Sequence, residues 1–322
     1  MVMNIIILFQ KEKNPKKGLL AAEYAMLYYL VATLILMFFT YTKLHNPESM
    51  LFGRVRILAM TFALWAVYRM LPCRFTRFCR IAAQLALLSW WYPDTYEFNR
   101  MFPNLDHLFA RCEQWLFGCQ PSLLFADFFS HPVFSELMDL GYACYYPLIA
   151  VVIVYFFFWR YNEFGRASYV ILASFFTYYI LYIAIPVAGP QYYYHAVGIE
   201  EIARGVFPDV HDWFATHQEA MKSPGYTDGF FYQMVTDAHN AGERPTAAFP
   251  SSHVGVSTIL LLLLWRVGNT RRLLLWLTPF YALLCLSTVY IYAHYVIDVF
   301  GGWISAVLFF LVFYYLYPYI KD

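Results

Sequence analysis

Tyr290-Ile-Tyr-Ala-His294-Tyr-Val-Ile-Asp298-Val-Phe-Gly301-Gly302-Trp303 opens the last apolar run of the chain. The spacing predicts that His294 and Asp298 share one face of a helix, one turn apart. The residues around them are apolar or aromatic, so the segment reads as embedded in a membrane or bordering one. Ionisable side chains are costly at that depth and are usually kept for function. A carboxylate that accepts a hydrogen bond from one imidazole nitrogen fixes the tautomer and leaves the other nitrogen nucleophilic. A His–Asp pair that merely ties a helix to its neighbour would read the same, so a second motif must decide.

That motif lies upstream, in Arg244-Pro-Thr-Ala-Ala-Phe-Pro250-Ser251-Ser252-His253-Val-Gly255, which runs into an apolar stretch ending at Trp265. Serine is a good helix cap, and the free N–H groups of a first helical turn make an anion site. Arg244 adds a fixed positive charge suited to phosphate. Two histidines, one with an aspartate partner, beside an arginine and a helix N-terminus suit phosphoryl transfer without a metal. One histidine attacks phosphorus, the other protonates the departing oxygen, and the donors hold the developing charge.

Pro-Ser-x-His followed by His-x-x-x-Asp resembles the last two motifs of the type-2 phosphatidic acid phosphatase superfamily. The wording Ala-Ala-Phe-Pro-Ser-Ser-His with Val-Tyr-Ile-Tyr-Ala-His-Tyr-Val-Ile-Asp is most similar to its inositolphosphorylceramide synthase (aureobasidin-resistance) branch. Asp106 to Pro121 and Tyr142-Ala-Cys-Tyr145-Tyr146 resemble that branch too, so the likeness covers roughly residues 90–315. It implies a six-helix catalytic core in which His294 is the nucleophile, Asp298 its support and His253 the acid–base group. It implies an inositol phospholipid donor, a ceramide-like acceptor and no cofactor. Two departures stand out. Ser287 and Thr288 occupy the place of the usual Ser-Arg, and the usual first motif, a lysine ahead of Arg-Pro, is replaced by Pro186-Val-Ala-Gly189-Pro190-Gln191-Tyr-Tyr-Tyr194. Phosphate is then expected on Arg244, Ser251, Ser252 and Gln191. The thinner set of cations leans toward a singly charged phosphodiester.

Composition sets the class. Of 322 residues, 61% are hydrophobic and 21% aromatic but only 13% charged, about half the ~25% of ordinary soluble domains. An all-α polytopic bundle is expected. The net charge of +1 gives no case for nucleic acid. Six cysteines show neither zinc nor disulfide-framework spacing. Cys112 and Cys119 share one expected outside loop, and their helical spacing works against pairing without deciding it.

About eight spans are expected, at roughly twenty residues each: 19–41, 56–71, a short one at 81–92, then 134–159, 167–187, 254–267, 273–292 and 295–317. Residues 93–131, with three prolines, read as a loop carrying short interfacial helices. The longest polar stretch, Ala188 to Ser252, reads as an outside loop. Residues 1–80 form a lead-in and two accessory helices, and 81–322 the catalytic membrane domain. Met1 to Gln10 reads as an interfacial or disordered lead-in, because its lysines follow the apolar run instead of preceding it as in a signal peptide. Placing that end inside puts Lys11, Lys13, Lys16, Lys17, Arg69, Arg74, Arg77, Arg80, Arg160, Arg166, Arg266, Arg271, Arg272 and Lys321 inside with it. His253 and His294 then both fall at the extracytoplasmic or lumenal ends of their spans, as one shared site requires.

Other residues weigh less. His195, His211, His217 and His239 read as solvated loop residues. Asp106 and Glu113 share a helix face and would steady the outer loop rather than form a catalytic dyad. The spans lack the clustered aspartates of a metal-dependent headgroup transferase. They also lack the polar trail of a transporter. A lipid phosphotransferase is therefore expected, working among membrane lipids. A phosphatase with water as acceptor shares its first half-reaction and is the alternative.

Overall fold

The helix Tyr161–Ala184 organises the bundle. Its apolar residues run all the way round, and 78% of its most apolar window is buried by the other helices, as expected of a helix without a polar face. Around it the computed structural model, which describes residues 6–320, is helical throughout, with no strand among the described residues. Of the expected lead-in, Met1 to Ile5 lies outside the described residues, as does Lys321.

In chain order the helices are α1 (Ile6–Phe9), α2 (Ala21–Thr40), α3 (Pro47–Met70), α4 (Arg74–Ala86), α5 (Leu88–Asn99), α6 (Asp106–Phe117), α7 (Pro121–Phe128) and α8 (Pro132–Ala143). Then come α9 (Tyr145–Trp159), α10 (Tyr161–Ala184), α11 (Pro190–Val197), α12 (Ile199–Ala203), α13 (Phe230–Gly242), α14 (Ser252–Leu263), α15 (Arg271–Tyr290) and α16 (Val296–Ile320). Five helices are long and apolar enough to cross a membrane: α2, α3, α10, α15 and α16. The pair α8 and α9, bent by 44°, makes a sixth if taken as one span. The bend follows Pro147, which cannot continue the helical ladder across Cys144. α14, with a π-helical end at Leu264–Gly268, is apolar but short.

Two expectations about spans are corrected. The span expected at 81–92 is instead the end of α4 and the start of α5, each too short to cross a bilayer core of about 30 Å. Their polar residues are paired inside the protein. Arg80 of α4 donates Nε to Glu23 of α2 at 2.8 Å, and both side chains are buried. Asp94 of α5 meets Arg54 of α3 at 2.7 Å. The span expected at 56–71 in turn begins earlier, since α3 starts at Pro47 and its Arg54 charge is paired with Asp94 within the helix bundle. Short helices are present within 93–131 as α6 and α7, with Trp115 82% and Phe128 77% exposed.

The bundle has two distinct ends. At one, Arg160 donates Nε to the Val267 carbonyl (3.1 Å), and Arg166 and Arg266 lie over the ring of Tyr314. At the other lie the starts of α14 and α16, under the segment from Ile185 to Ser251. Close approach at Gly302 locks those starts together: a Cβ there would come 2.8 Å from the Ser251 carbonyl oxygen and 3.1 Å from Val254 Cβ. The Gly301-Gly302 that follows Asp298 thus brings the two histidine motifs into one place.

Candidate active site

His294 is not on a helix. It sits in the turn between α15 and α16, so the expected pairing with Asp298 along one helical face is replaced by a tighter arrangement. The His294 N–H donates to the Thr288 carbonyl at 2.9 Å. Its ring Nδ1 lies 2.8 Å from the Ala248 carbonyl oxygen and 3.5 Å from Asp298 Oδ2. A carbonyl only accepts, so Nδ1 carries the proton and Nε2 presents its lone pair. Asp298 is near enough to act through charge, but the hydrogen bond goes to Ala248. The reason is local: Asp298 is the third residue of α16, and its Oδ2 accepts the Tyr295 N–H at 2.8 Å, closing the helix start. Two non-glycine residues in the left-handed region, Ala247 at φ 72° and Tyr292 at φ 66°, flank this contact, a strain of about 1–2 kcal/mol each held by the surrounding packing.

Two buried carboxylates of α6 hold the frame. Glu113 Oε1 accepts the N–H groups of Val296 (2.5 Å) and Ile297 (3.2 Å), the open first turn of α16. Burial and the nearby Asp298 charge push the Glu113 carboxyl up to about 8. Asp106 accepts from the N–H groups of Ala188 (2.6 Å) and Gly189 (2.8 Å) and from the Tyr295 hydroxyl (3.0 Å). Gly189, at φ 97°, has no room for a side chain, since a Cβ would lie 2.7 Å from the Ala293 carbonyl oxygen. Asp106 and Glu113 therefore steady separate stretches of backbone and do not form a dyad.

His253 stands in the first turn of α14, and its Nδ1 lies 3.3 Å from His294 Nε2, with ring centroids 5.5 Å apart. Because His294 Nε2 has no proton, His253 Nδ1 is the donor. Tyr142 and Tyr145, on either side of the α8–α9 bend, pack on the His253 ring at 4.8 and 4.3 Å. His294 is 3% exposed. Burial pulls its pKa down to about 4, against the opposing pull of the Ala248 hydrogen bond and the Glu243 charge.

The expected phosphate ligands are placed close by but largely engaged. Ser251 is buried and caps α14, its Oγ accepting the Val254 N–H at 3.4 Å. The Ser252 N–H donates to the Tyr182 hydroxyl at 3.0 Å, which leaves the His253 N–H as the first-turn donor without a protein acceptor among the described residues. Gln191 donates Nε2 to Glu243 Oε2 at 3.0 Å, and Arg244 donates Nη1 to the Glu243 carbonyl at 2.9 Å. Thr288, where the resemblance expects arginine, is buried and turns its hydroxyl to the Cys285 carbonyl at 2.9 Å. Cys112 and Cys119 are both free thiols.

Four features of the site are not assigned by the sequence pattern. Ala248 acts through its backbone and leaves no trace in side-chain pattern. Tyr142 and Tyr145 belong to a stretch that carries the resemblance, and nothing in their spacing assigns them a role. Glu243 accepts from the Tyr142 hydroxyl at 2.9 Å as well as from Gln191. His239, expected in solvent, lies 3.4 Å from Glu243 Oε1 with its ring edge-on to Tyr142. A polar run of His239, Glu243 and Arg244 directly before His253 was the available signal. A family model described as the PAP2 superfamily matches residues 107–312, well over half of the chain. No curated protein and no solved structure matches it.

Proposed function

Because the chain belongs to the PAP2 superfamily, we propose that it is a membrane-embedded lipid phosphotransferase whose nucleophile is His294. The observation that carries this reading is the 3.3 Å approach of His294 Nε2 to His253 Nδ1, with the His294 proton held on the far nitrogen by Ala248. A phosphate entering between the rings meets a lone pair on one side and a proton donor on the other. His294 Nε2 attacks phosphorus, the bond to the lipid alcohol breaks, and the departing oxygen takes a proton from His253. In the second half, an acceptor hydroxyl gives its proton to His253 as its oxygen attacks phosphorus and the P–N bond breaks. A neutral His253 has one ring proton, already pointed at His294. The negative charge of the bound phosphate favours the second proton that makes His253 an effective acid.

Transfer to a lipid alcohol requires that the acceptor be aligned and water kept out. The burial of His294 beneath the segment from Ile185 to Ser251 supports that outcome over hydrolysis. Arg244, Ser252 and Gln191 are the ligands we assign to the phosphate, with Ser251 shaping the helix start. The resemblance to inositolphosphorylceramide synthases supports an inositol phospholipid donor and a ceramide-like acceptor, and the Lys and Arg distribution supports a site on the extracytoplasmic or lumenal face. We assign the catalysis to residues 81–322 and an accessory role to 1–80, where the Glu23–Arg80 and Arg54–Asp94 pairs dock α2 and α3 onto α4 and α5.

The test is a product balance on purified protein given phosphatidylinositol and ceramide with a chelator present. Diacylglycerol and a phosphoinositol-bearing ceramide should appear in equal amounts, with little inorganic phosphate. Release of inorganic phosphate from phosphatidic acid, with ceramide left unused, would make the protein a phosphatase.

A further inference from the structure

Glu243 takes no part in the steps above, yet it is one side chain away from the acid–base histidine. Its Oε1 accepts from the Tyr142 hydroxyl at 2.9 Å, and the Tyr142 ring rests on His253 at 4.8 Å. Its Oε2 accepts from Gln191 at 3.0 Å. The adjacent Arg244 gives Nη1 to the Glu243 backbone carbonyl and makes no ion pair with the carboxylate among the described residues. A second cation is missing where Thr288 stands, its buried hydroxyl spent on its own helix. The site therefore places a carboxylate where phosphate-handling sites ordinarily gather positive charge.

We propose that Glu243 is a specificity-determining residue, whose negative charge selects singly charged phosphodiesters against dianionic phosphomonoesters. This deepens the phosphotransfer reading of the histidine pair and rests on it. The charge of Glu243 reaches the reacting centre, since it is among the influences that oppose the fall in the His294 pKa. In a partly buried setting, one further negative charge on the substrate near a fixed carboxylate weakens binding on the order of tenfold. Two polar donors, Tyr142 and Gln191, hold the carboxylate in place, so the repulsion cannot be relieved by its swinging away.

The test reads binding, which does not depend on turnover. Affinities of the purified full chain for dioctanoyl phosphatidic acid and dioctanoyl phosphatidylinositol are measured at pH 8, above the second ionisation of a phosphomonoester at about 6. Glu243→Gln keeps the size and hydrogen-bonding capacity of the side chain and should shift the ratio of affinities toward phosphatidic acid by about tenfold. Glu243→Asp, which keeps the charge, should leave the ratio near that of the wild type. An unchanged ratio in Glu243→Gln overturns the proposal. Equal losses for both lipids in both variants also overturn it, marking Glu243 as a support for Tyr142. A shifted ratio in a protein that forms no phosphoceramide would uphold charge selection while ending the transferase reading.

Discussion

The His294 ring faces two acceptors of different kinds. The Ala248 carbonyl at 2.8 Å fixes the proton on Nδ1, and Asp298 Oδ2 lies 3.5 Å away without taking that hydrogen bond. The histidines and the aspartate could be found in the sequence because titratable groups stand out against apolar surroundings. The carbonyl could not, because its position depends on how the segment before α14 folds back. Burial also keeps His294 neutral, with a pKa near 4 against the usual 6.5. Between those values the unfolded chain binds a proton that the folded chain refuses, so stability present above pH 6.5 is lost as pH falls toward 4. His294→Gln should lower turnover at least about a hundredfold. Its melting temperature in detergent should also fall less steeply than the wild type's between pH 7 and pH 4.5. Near-normal turnover, or an unaltered acid dependence of melting, would remove His294 from the role given to it.

The elements most easily read were the long apolar ones, α2, α10, α15 and α16, where an unbroken hydrophobic run leaves one interpretation. The region of α4 and α5 was misread because aromatic residues there supply hydropathy without length, while Arg80 and Asp94 find their partners on α2 and α3. The α8–α9 bend is not legible in the sequence, since a proline such as Pro147 within a span does not fix an angle. α6 shows how an outer helix serves the site. Glu113 offers Oε1 to two N–H groups of α16, and Oε2 has no partner among the described residues. With its pKa raised to about 8, the side chain is protonated at neutral pH, and an amide can take its place. Glu113→Gln should therefore retain turnover and melting temperature, whereas Glu113→Ala removes the cap and should cost about 1–2 kcal/mol. Thermal melts and turnover of the two variants check this; equal damage from both would show that the negative charge, and not the cap, is what α16 needs.

Across the whole molecule, a cluster of arginines and the histidine pair lie at opposite ends. Arg160, Arg166 and Arg266 gather where α14 and α16 finish, and both histidines stand where those helices begin. That separation was readable from the Lys and Arg distribution, because short basic connections orient a polytopic chain. The covering of the site by the segment before α14 was not, since a polar stretch of that length has no periodic pattern to follow. The proposed function has phosphorus carried on His294 between two lipids. The most direct measurement is acid-free quenching of the protein with phosphorus-labelled phosphatidylinositol in the absence of acceptor, followed by peptide mass spectrometry. Base-stable label is expected on His294, discharged when ceramide is added and absent in His294→Ala. Turnover without label on His294, or label on another residue, would contradict it.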